Sequence, residues 1–153
     1  MNGAKPQMKG DFIMNRETVN YNGIKCEIEK ATPIGGYSTL DNYDVILTDL
    51  QKSVSQSGND MFVATVYIVL AFDADKKTLI ADKRRLYKAG EYQMAELRDA
   101  LTLPITEELA KSGSDIKFIT DDTLLSMLKN KEVVISADIV RGSNNQLNIT
   151  LLF

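Results

Sequence analysis

Six of the chain's 18 basic side chains fall within "KKTLIADKRRLYK", residues 76–88, with Asp82 the one acid among them. Lys76, Lys77, Lys83, Arg84, Arg85 and Lys88 are groups that neutralise phosphates, and Tyr87 between them offers a ring on which a base stacks. The chain as a whole carries 21 acids against those 18 bases. The strip is therefore a local anion-binding surface on an otherwise acidic protein. The same residues also suit an exposed edge strand, where lysines discourage edge-to-edge aggregation. Both readings stand at this point.

Other chemistries have fewer candidates. Histidine is absent and cysteine occurs once, which removes Ser-His-Asp and Cys-His nucleophiles, histidine zinc sites and any internal disulfide. Cys26 in "GIKCEIE" shares an alternating face with Ile24 and Ile28 and is expected in the core. Asp121-Asp122 and Glu107-Glu108 read as acids in the first turn of a helix, where they complement the dipole. Asp73 and Asp75 in "FDADKK" read as an acidic hairpin turn. No Walker loop, GxGxxG or EF-hand spacing is present. The expectation is a protein that is not an enzyme, with no cofactor and no metal.

These groups need a scaffold, and its periods are readable. "TVNYNGIKCEIEKA" (18–31) is two alternating runs around Asn22-Gly23, the type I′ hairpin signal. Pro33, Gly35, Gly36 and Asn42 punctuate a loop. Tyr43–Val54 alternates with a break near Asp49, and "SQSGND" turns the chain. Met61–Phe72 is apolar on both parities, as in a central strand. Residues 78–87 begin a third strand. After Gly90 the period becomes helical: Tyr92, Met94, Ala95, Leu97 and Leu101 predict a short helix that stops by Leu103, before Pro104. "ITEELAKSG" predicts a further turn or two, "DIKFIT" a short extended segment, and "DDTLLSMLKNK" a helix with Leu124, Leu125 and Leu128 inward. "EVVISADIV" (132–140) and "QLNITLLF" (146–153) predict two strands joined by "RGSNN".

Three meander strands, helices, then two more strands is the connectivity of the OB-fold, a five-stranded, partly open barrel. The expected class is α+β, mostly β: an OB-like barrel with short helices between its third and fourth strands and an extra N-terminal hairpin outside the five. An open sheet with helices on one side is the alternative. Residues 1–16 are expected to be a flexible arm and 17–153 a single domain. No run is apolar for long enough to span a bilayer as a helix, and the N-terminus lacks a signal-like apolar region. With one unpaired cysteine, the expected location is the cytoplasm.

"SVSQSGNDMFVATVYIVL" and "LLSMLKNKEVVISADIVRGSNNQLNITLLF" resemble the strand–turn–strand and the closing half of single-stranded DNA-binding proteins from phage replication and recombination cassettes. The chain departs from that pattern in having Asn130 before Lys131, where a glycine is usual, and in ending on "NITLLF" rather than an acidic tail. The resemblance implies an OB-fold and binding of single-stranded DNA. In an OB-fold the face of strands 2 and 3 carries the oligonucleotide, and the basic strip falls on the third strand. Tyr43, Phe62 and Tyr67 lie on the two preceding strands, although Phe62 and Tyr67 suit the core better. The other class is a non-enzymatic interaction protein: a phage structural component, or an inhibitor that docks on a host factor. A protein partner and a homo-oligomer are compatible with either.

Overall fold

The structure, a computed structural model, describes residues 17–113, 119–129, 131–142 and 146–152. Seven strands make one mixed sheet: β1 (Thr18–Tyr21), β2 (Ile24–Lys30), β3 (Asn42–Val54), β4 (Asp60–Asp73), β5 (Thr78–Ala89), β6 (Val133–Arg141) and β7 (Leu147–Leu151). Two helices, α1 (Glu91–Lys111) and α2 (Asp121–Met127), lie between β5 and β6 in the chain. The spatial order is β1-β2-β5-β4-β3-β6-β7, antiparallel throughout except for β2 against β5.

Three expectations need correction. The sheet has seven strands and is not closed, rather than a barrel of five. The leading hairpin is not outside it: Glu27–Lys30 pair in parallel with Thr78–Ala81. The reason is the apolar side of the hairpin. Val19, Tyr21 and Cys26 are buried against Ile46, Tyr67, Leu79 and Ala81, a cluster that would otherwise stay wet. The hairpin also curls over the sheet, since Asn20 meets Glu132 and Tyr21 Oη donates to Asp44 at 2.5 Å.

The third correction concerns α1, which runs 21 residues straight through Pro104 instead of stopping before it. Proline removes one backbone hydrogen bond and crowds the preceding turn. Against that, Leu101 and Ile105 on either side are both buried in the main core, worth about 1.5–3 kcal/mol each. Tertiary packing overrides the local signal. Glu107 and Glu108 therefore sit inside a helix, not at the start of one, and Glu108 is paired with Lys131.

Other expectations hold. Asn22 and Gly23 both have positive φ (51° and 76°), as a type I′ turn requires. Asp49 is a left-handed bulge residue (φ 56°) where the β3–β4 register shifts. Leu124 and Leu128 are buried, Leu125 is half-buried, and Asp121-Asp122 open α2. The arm at 1–16, most of "DIKFIT" and the last three residues of "RGSNN" lie outside the described residues.

The two faces of the sheet have separate roles. On one, Val45, Leu47, Phe62, Ala64, Val66, Ile68, Leu86, Ile135, Ile139, Ile149 and Leu151 pack on Leu97, Leu101 and Leu124 of the helices. The opposite face carries the residues of intervening parity. The hairpin covers the end of it around Tyr67 and Ile46, leaving the end near Gln51, Met61, Arg85 and Tyr87.

Candidate nucleic-acid interface

A strand points successive side chains to opposite faces, so β5 divides the basic strip. Lys83, Arg85 and Tyr87 share the outer face with their β4 partners Tyr67, Thr65 and Val63. Arg84 and Lys88 share the inner parity with Leu86, toward the helices. Lys76 and Lys77 occupy the β4–β5 turn, where Lys77 has φ 53°. That turn lies roughly 40 Å along the strand from Lys88, at about 3.3 Å per residue. The strip is continuous in sequence but not on the surface.

Half of its charge is also committed. Lys83 Nζ lies 2.6 Å from Glu17 and above the Tyr67 ring, Arg84 Nε is 3.0 Å from Asp82, and Lys88 Nζ is 2.9 Å from Glu96. Lys88 is itself buried and also donates to the Ile149 carbonyl at 2.9 Å. Arg85 donates to the Thr65 hydroxyl at 3.2 Å. Among the described residues Lys76, Lys77 and Arg85 have no carboxylate partner. Burial raises the Glu17 carboxyl, yet hydrogen bonds from Lys83, Tyr67 and Lys30 outweigh it and hold the group below its usual value.

The aromatic groups sort equally clearly. Phe62 is fully buried and Tyr67 nearly so, while Tyr43 packs against the core and edge-on to Tyr37. Tyr87 is 57% exposed on the same face as Arg85. Tyr92, at the first turn of α1, is 91% exposed. The helical spacing counted Tyr92 with the inward residues. It lies two residues before the buried Met94, which at 100° per residue puts it on the opposite face of the helix from Met94, Leu97 and Leu101, and that angular count is the signal in the sequence. Tyr87 and Tyr92 flank the β5–α1 junction, where Gly90 (φ 86°) joins strand to helix and donates to the Asp60 carbonyl.

Three other tyrosines are held by carboxylates and give an alkaline signature. Burial, then the hydrogen bond to Asp44, pushes the Tyr21 phenol up to about 12. Tyr37 and Tyr67 are raised by the same two causes, with Asp82 and Glu17 as acceptors. Because the folded values lie above the unfolded value of about 10, this stability is fully present below pH about 10. It is lost as pH rises through the folded values. In an alkaline titration followed by phenolate absorbance and circular dichroism, three of the six tyrosines should ionise only together with unfolding. All six ionising in one step before unfolding would contradict these hydrogen bonds.

Among the described residues, no helix is long and apolar enough to cross a membrane, and no three metal-ligating side chains are grouped. No protein-family model and no curated protein sequence matches the chain.

Proposed function

We propose that the protein binds single-stranded nucleic acid, without catalysis, on the outer face of β4 and β5 around the exposed Arg85 and Tyr87. Its setting would be cytoplasmic DNA replication or recombination, with single-stranded DNA as the ligand. The β3–β4–β5 meander, the helices, the return of β6 onto β3 and the pairing of β7 with β6 follow the strand order of an OB-like domain. In such a domain β4 and β5 are the ligand-carrying second and third strands. The observation that carries the reading is the exposed Tyr87 beside Arg85 on that face, with Tyr92 exposed just beyond.

The test is fluorescence anisotropy with labelled oligo-dT, duplex DNA and RNA of matched length at low salt. Oligo-dT should bind, and Tyr87→Ala should cost about 1–3 kcal/mol, with the salt slope nearly untouched because stacking releases few counterions. Arg85→Ala should flatten the slope of log K against log salt by about 0.7. Changes at Lys83, Arg84 or Lys88 should alter the slope less, because a carboxylate already neutralises each. No affinity for any of the three at about 50 mM salt would remove the reading. The second reading, a protein-interaction module, draws on that same internal neutralisation of Lys83, Arg84 and Lys88.

A further inference from the structure

Among the described residues, strands β5 and β7 leave a gap between two edges that no strand pairs. On β5 the carbonyls of Lys77 and Ala81 accept from Glu27 and Ala31, so the odd-numbered residues turn their backbone groups away from β4. The β2–β5 pairing ends at Ala81. Beyond it the N–H and C=O groups of Lys83, Arg85 and Tyr87 point along the same edge, with no strand beside them among the described residues. On β7, Leu152 N donates to Ser136 O and Gln146 O accepts from Gly142 N. The even-numbered residues therefore face β6, and Leu147, Ile149 and Leu151 face outward, toward β5.

Four successive antiparallel pairings, β5–β4–β3–β6–β7, make β5 and β7 run parallel to each other. Between them is a groove of about 690 Å³, lined by Arg84–Lys88 on one wall, Gln146–Thr150 on the other, and Gln93 and Glu96 of α1. Lys88 Nζ reaches across to Ile149 O, and Leu151 N donates to Glu96 at 3.4 Å. These two contacts close one end. A gap bridged by a lysine side chain plus a hydrogen bond is on the order of two strand spacings of about 4.8 Å, which is room for one strand.

We propose that this slot receives an extended, acidic segment of a partner protein as an added strand between β5 and β7. Backbone groups on both walls supply the ladder, as in other strand additions to a sheet edge. The charge of the walls selects the partner. Of the three lining cations, Lys88 is paired with Glu96 and Arg84 with Asp82, while Arg85 has no carboxylate partner among the described residues; parity puts Arg85 on the outer side of the inserted strand. An acidic side chain on the outer side of the segment thus meets Arg85. The proposal does not depend on nucleic-acid binding.

The probe is a synthetic peptide of alternating aspartate and valine, with a lysine–valine peptide as control. Binding is followed by anisotropy and by amide hydrogen exchange. The acidic peptide should bind, and it should slow exchange at Lys83, Arg85 and Tyr87 while leaving Arg84 and Leu86, already laddered to β4, unchanged. Leu147→Pro removes a donor that faces the slot and not β6, and should weaken binding at least tenfold. If that variant does not fold, the alternating exchange pattern in the unaltered protein decides alone. Three results would each overturn the proposal: no binding of the acidic peptide below about 1 mM, binding without the alternating protection, or equal binding of the lysine peptide. So would slow exchange of the same three amides without peptide, because the chain itself or a second copy would then fill the slot. Protection of those amides by oligo-dT instead would assign the groove to nucleic acid.

Discussion

Phe62→Ala should lower the unfolding free energy by about 3–5 kcal/mol, the range for deleting a large buried aromatic ring. Phe62 is among the largest fully buried side chains, on β4 where the sheet meets the helices. The cavity is only part of the loss. The Arg98 guanidinium lies 5.3 Å from the ring centroid and donates to Asp121 at 2.7 and 3.0 Å, and Lys52 reaches the same carboxylate at 3.3 Å. The ring is thus the platform beneath the ion pairs that fix the start of α2. Phe62→Leu keeps most of the volume but no ring face, and should cost less. A urea titration of Phe62→Ala, Asp121→Asn and the double variant measures the coupling, and the two losses should not add. A strictly additive result, or a loss under 1 kcal/mol for Phe62→Ala, would show that the ring does not support Arg98.

Lys88→Ala should cost about 3 kcal/mol, the lower end for breaking a buried pair, since the Glu96 side chain keeps 28% exposure. The substitution leaves Glu96 without its cation and the Ile149 carbonyl without its donor. Replacing both partners, as Lys88→Met with Glu96→Leu, should recover most of the loss, because neither charge then needs a counterpart. Thermal and urea melts of the two single variants and the double variant check this. A double variant as unstable as Lys88→Ala would mean that the pair acts through the Ile149 contact rather than through charge.

Much of the β framework was legible because its signals are local. Asn22-Gly23 fixes one turn, the two-faced apolar run of Met61–Phe72 identifies the central strand, and the break at Asp49 is a real bulge. What was not legible depends on distant partners. The fate of the leading hairpin is decided by Ile46, Tyr67, Leu79 and Ala81, none of which is near it in sequence. The persistence of α1 through Pro104 is decided by the sheet beneath Leu101 and Ile105. The basic strip shows the same limit. Sequence counts the charges of Lys83, Arg84 and Lys88, but Glu17 and Glu96 come from other elements and even the neighbouring Asp82 acts only through side-chain geometry. Tyr87 was visible as a ring among cations, whereas Tyr92 was absorbed into a helical pattern.

The parallel pairing of β2 with β5 also sets an order of events during synthesis. Glu27 and its partner Thr78 are 51 positions apart, and Asn20 and Glu132 are 112 apart. At roughly 5–20 residues per second, the ribosome delivers β5 some 3–10 s after β2, and Glu132 roughly 6–22 s after Asn20. Until Ile46, Tyr67, Leu79 and Ala81 have all emerged, the cluster that buries Val19, Tyr21 and Cys26 is incomplete, and a two-stranded ribbon is at best marginal alone. Its docking must be a late step, after the β3–β4–β5 meander has formed the surface it closes over.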